Sequence, residues 1–71
     1  MNNKYADEFF KLVEDSAISV KQKGGKEFSI TISLDNNLCI DGIPKVPENI
    51  DIISIIDDAY TLKREYKFRV K

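Results

Sequence analysis

The sequence predicts an α+β fold, a two-layer sandwich of order α-β-β-β-α-β whose antiparallel sheet is covered on one face by two helices. Three observations predict it. Apolar residues near the start recur at helical spacing. Those from Ile18 to Ile40 alternate with polar ones. Those of "ENIDIISIIDDAY", residues 48–60, return to a helical stripe. With 71 residues, the chain is expected to form a single domain over 1–71. A domain of this size buries only about 60% of its unfolded surface, so its stability is marginal. Cys39 is the one cysteine and there is no histidine, which removes an internal disulfide and a cysteine–histidine zinc site as staples. Ten isoleucines, four phenylalanines and four leucines supply packing instead.

The first helix is expected over "NNKYADEFFKLVEDSA". Tyr5, Phe9, Leu12 and Val13 form its stripe, Phe10 and Ala17 widen it, and Asn2 or Asn3 accepts the free N–H groups of its first turn. Asp7 and Lys11 make an i,i+4 pair worth ~0.2–0.5 kcal/mol. A three-stranded meander follows. Ile18 and Val20 mark its first strand, Phe28, Ile30, Ile32 and Leu34 its second, Leu38 and Ile40 its third. Lys23-Gly24-Gly25 and Asp35-Asn36-Asn37 suit three-residue hairpin loops, with Gly25 and Asn37 in the left-handed position. The open face then carries Ser19, Lys21, Ser29, Thr31, Ser33, Cys39 and Asp41. Pro44 and Pro47 rule out a central strand and punctuate a connection. The second helix is expected from Glu48 to Ala59. It turns Ile52, Ile53 and Ile56 to the core and lines another side with Glu48, Asp51, Ser54 and Asp58, with Asp57 beside them. Leu62, Tyr66, Phe68 and Val70 alternate with Lys63, Glu65, Lys67, Arg69 and Lys71, which reads as a fourth strand. Continuation of the second helix is the competing reading.

Charge divides the chain in three. Residues 1–34 are balanced, 35–58 carry six acids against Lys45, and 59–71 carry five bases against Glu65. An unmixed acidic helix side focuses negative potential and attracts a basic surface. The expected partner-binding residues are therefore Asp41, Glu48, Asp51, Asp57 and Asp58. Enzymatic chemistry is not expected. There is no histidine, and Asp57 and Asp58, adjacent on a helix, point about 100° apart. Cys39 has no histidine to activate it, Gly24-Gly25 lacks a surrounding GxxxxGK[ST], and no EF-hand spacing occurs. The expectation is a non-enzymatic interaction protein, without cofactor or metal, that binds and masks another protein. Two alternatives stand beside it. One is a nucleic-acid-binding module using Lys63, Arg64, Lys67, Arg69 and Lys71. As a strand, however, that segment turns its aromatics to the core and its bases to water, separating stacking from charge. The other is a self-associating subunit, such as a homodimer, using the open sheet face or the edge of the last strand. "MNNKYADEFF" has no signal-peptide pattern and no apolar run is long enough to span a membrane, so a cytoplasmic location is expected.

The expected α-β-β-β-α order over residues 3–60 resembles the double-stranded-RNA-binding domain. That family's Gly-Pro-x-His loop is replaced here by "KGGKE", and its lysine cluster at the second helix by "PENIDI". The resemblance therefore implies topology and no binding residue. In size, in its Lys-, Asn- and Ile-rich composition and in lacking histidine and tryptophan, the chain also resembles the early host-takeover proteins of phages of low-GC Gram-positive bacteria. That resemblance implies an inhibitor occupying a host protein, in the DNA-mimic form the binding face of an HU-type nucleoid protein. The acids of the second helix and Asp41 would then stand in for phosphates. The basic closing segment departs from the usual mimic and restricts any mimicry to a local patch.

Overall fold

The computed structural model describes residues 4–71. Helix α1 spans Lys4–Gln22, and strands β1, β2 and β3 span Glu27–Ser33, Ile50–Asp58 and Lys63–Val70. The strands form one antiparallel sheet in the order β1-β3-β2. The fold is α+β as expected, with one helix rather than two and the order α-β-β-β among the described residues.

Helix α1 runs through Ile18 and Val20, which alternation assigned to a first strand. Val13, Ala17 and Val20 fall four and three apart, so the helical stripe continues where a strand period also fits. Gly24 ends it, at a φ of 79°. Its N–H donates to the Lys21 carbonyl at 3.0 Å, and the Gly25 N–H donates to Val20 at 2.9 Å. These are the paired bonds of a Schellman cap, so the expected hairpin at Lys23-Gly24-Gly25 is a helix terminus. Lys11 pairs with Asp15 at 4.0 Å rather than with Asp7. The caps expected at Asn2 and Asn3 lie outside the described residues.

β1 and β3 form where alternation placed strands. Phe28, Ile30 and Ile32 of β1 and Tyr66, Phe68 and Val70 of β3 share the inner face. The largest correction falls on residues 48–59, a strand where a helix was expected. Five isoleucines lose side-chain freedom in a helix and pack well on a pleated surface. The register steps from Ile52↔Phe68 to Ser54↔Lys67, leaving Ile53 as a bulge. Ile50, Ile52 and Ile55 thus reach the inner face at unequal spacing, which mimics a helical stripe.

Leu38 lies in a turn, Cys39 in a bend and Ile40 in irregular chain, rather than in a third meander strand. The Leu38 N–H donates to the Asn36 side chain at 2.8 Å and the Cys39 N–H to the Asn36 carbonyl at 2.9 Å. Residues 34–49 carry the chain from β1 to β2, and Leu38, Cys39, Ile40 and Val46 pack on the core. One helix and this irregular crossover therefore cover the sheet. The α-β-β-β-α order behind the RNA-binding-domain resemblance does not occur among the described residues. The core joins Phe9, Val13 and Ala17 of α1 to Ile32, Ile50, Tyr66, Phe68 and Val70. Phe9 meets Tyr66 edge-on, with centroids 4.9 Å apart. No described helix is long and apolar enough to cross a membrane.

Candidate interaction surface

Pairing β2 with β3 sets the predicted acids against the predicted bases. Asp51 lies opposite Arg69, Asp57 opposite Arg64 and Asp58 opposite Lys63. Asp57 takes a two-pronged contact from Arg64, with Nε at 2.6 Å and the second nitrogen at 3.2 Å. That hydrogen bond, ahead of the guanidinium charge, holds the Asp57 carboxyl below its usual range, and Asp57 raises Arg64 further. Asp51 pairs with Lys71 at 3.2 Å. Asp58 accepts from the N–H groups of Tyr60 and Thr61 at 2.9 and 3.3 Å, which lowers its pKa and fixes the turn into β3. Asp41 and Glu48 are exposed on the crossover and form no ion pair among the described residues. The five acids thus do not line one helix side. Asp51 and Asp58 project from the open sheet face, Asp57 shares the inner side with Arg64, and Asp41 and Glu48 precede β2.

The bases divide likewise. Arg64 also donates to the Ile40 carbonyl at 3.2 Å, clamping the crossover to the sheet. Arg69 binds Glu27 of β1 at 2.5 Å, and Lys71 is held by Asp51. Lys63 and Lys67 form no ion pair among the described residues. As the strand reading required, Tyr66 and Phe68 are buried while Lys63, Lys67 and Arg69 face water.

The face of the sheet away from α1 carries Glu27, Ser29, Thr31 and Ser33 on β1 and Lys63, Glu65, Lys67 and Arg69 on β3. β2 contributes Asp51, Ser54, Ile56 and Asp58. The bulge adds Ile53, which lines a shallow depression with Ser29 and Lys67. Ile53 and Ile56 are 46% and 52% exposed. Sequence reasoning assigned both to the core. The run of β-branched residues in "IDIISII" was the signal for a strand, and a strand with a bulge cannot bury all five isoleucines on one side.

No family model, curated protein or solved structure matches the chain.

Proposed function

We propose that this chain is a non-catalytic interaction domain that binds and masks another protein through the open face of its sheet. The supporting observation is the exposed pair Ile53 and Ile56, set among Asp51, Asp58, Lys63, Glu65 and Lys67. Apolar contact inside a charged rim is the usual anatomy of a protein-binding surface. The rim mixes both signs, so it suits a partner of mixed charge. The DNA-mimic form, directed at an HU-type nucleoid protein, is weakened by the pairing of Asp51 with Lys71 and rests on Asp51 and Asp58, the two predicted acids on this face.

The test begins with capture of a partner from a bacterial lysate and measures its affinity for variants, with an HU-type protein assayed in parallel. The double change Ile53→Ser and Ile56→Ser is expected to weaken binding by about tenfold or more. Unchanged affinity would remove the open face as the binding surface. Salt-sensitive HU binding that is lost on Asp51→Asn with Asp58→Asn supports the mimic form, and its absence rejects that form. A gel shift of random DNA or RNA at low salt that survives the isoleucine changes, but not Lys63→Ala with Lys67→Ala, would favour nucleic acid instead.

A further inference from the structure

The outer side of β2 is a free strand edge. Among the described residues, no backbone group outside β3 bonds to residues 51–58. Ile53, Ile55 and Ile56 are all exposed along it. Such an edge is a template for another strand, and its geometry restricts which strand fits. The Val70 N–H donates to Lys26 on the β1 side, and the Lys71 N–H donates to Asn49 on the β2 side. That sets the alternation along β3. Asp51, Ser54, Ile56 and Asp58 therefore aim their backbone groups at β3, while Ile50, Ile52, Ile55 and Asp57 aim theirs outward. The bulge at Ile53 makes the step from Ile52 to Ile55 longer than the two-residue step of a regular strand. A regular partner falls out of phase there.

We propose that β2 pairs antiparallel with β2 of a second copy of this chain, about a two-fold axis at the bulge, giving a homodimer with one continuous sheet. Ile52 then lies opposite the partner's Ile55, Ile50 opposite the partner's Asp57, Asp51 opposite the partner's Ile56, and Ile53 opposite the partner's Ser54. The two bulges coincide, so the outward groups meet in phase and each inner face continues into the other. Ile50 already donates its N–H to Pro47 at 3.0 Å, which leaves up to about six backbone hydrogen bonds across the axis.

Charge selects the same register. Asp51 and Asp57 are neutralised within their own copy by Lys71 and Arg64, and no carboxylate faces another. A slip of two residues in one direction sets Asp51 against the partner's Asp58 at both ends, where like charges repel, and a slip in the other sets the outward groups of Ile52 against the partner's bulged Ile53. The pairing uses the strand edge and does not rest on the open-face reading.

Sedimentation of the intact chain from about 5 μM to 1 mM tests it, because the dimer fraction must rise with concentration. Ile55→Pro deletes an outward N–H while leaving the β3 ladder intact. It is expected to weaken the dimer by about tenfold or more with an unchanged far-UV spectrum. A second assay holds if that variant misfolds. Ile52→Cys and Ile55→Cys chains, each also carrying Cys39→Ser, are mixed under oxidising glutathione. Facing positions about 5.5 Å apart suit a disulfide, so the mixed pair is expected to crosslink. Ile52→Cys with Ile56→Cys is expected not to, since those side chains lie on opposite faces. A chain that stays monomeric throughout overturns the proposal. So does a dimer that a folded Ile55→Pro variant retains at full affinity, or crosslinking without preference for the first pair.

Discussion

The Tyr66 hydroxyl is fully buried and has no partner at hydrogen-bonding geometry. Its polar neighbours are the Arg64 guanidinium and the Cys39 thiol. Burial raises the phenol above its usual 10.0, and Arg64 partly opposes that shift. An acid raised by folding favours the folded state below its unfolded pKa and loses that contribution as pH climbs through the folded value. Stability is therefore expected to fall in the alkaline range above pH 10.0. Tyr66→Phe removes both the titrating group and the unsatisfied hydroxyl. The variant is expected to be as stable as the parent, or more so by up to about 1 kcal/mol, at neutral pH. Its urea midpoint should also decline less in alkali. A large loss at neutral pH would show that the hydroxyl is bonded in solution.

At the scale of the element, one residue decides where α1 stops. Gly24 sits at a φ of 79° with no atom near the place a side chain would take, so backbone conformation alone demands glycine. Gly24→Ala is expected to cost about 1–2 kcal/mol, read from the urea midpoint. Legibility followed the same logic. β1 and β3 were legible because their apolar residues alternate without interruption over Phe28 to Ile32 and Tyr66 to Val70. Ile18 and Val20 were not, because two residues two apart satisfy strand and helix alike, and "KGGKE" serves a hairpin or a Schellman cap equally well. β2 was hidden by its bulge, which breaks the period that identifies a strand. The candidate site was legible as a set of charges but not as a surface. Asp57 and Arg64 read as separate acidic and basic candidates until strand pairing makes them one ion pair.

At the scale of the molecule, the sheet depends on its middle member. Glu27–Arg69 and Asp51–Lys71 tie the two edges to β3 through side chains more than half exposed, each worth only about 0–1 kcal/mol. The ladder and the core under Tyr66 and Phe68 therefore carry the cohesion. Ending the chain after Leu62 is expected to abolish the sheet signal in far-UV spectra, since β1 and β2 are not hydrogen-bonded to each other and pair only through β3. A retained strand signal would contradict that order. During synthesis, β1 and β2 emerge from the ribosome before the segment that joins them. The nascent polypeptide thus exposes an unpaired, isoleucine-rich ribbon until Val70 too has cleared the ribosome, and it is open to chaperones and to clumping throughout that interval.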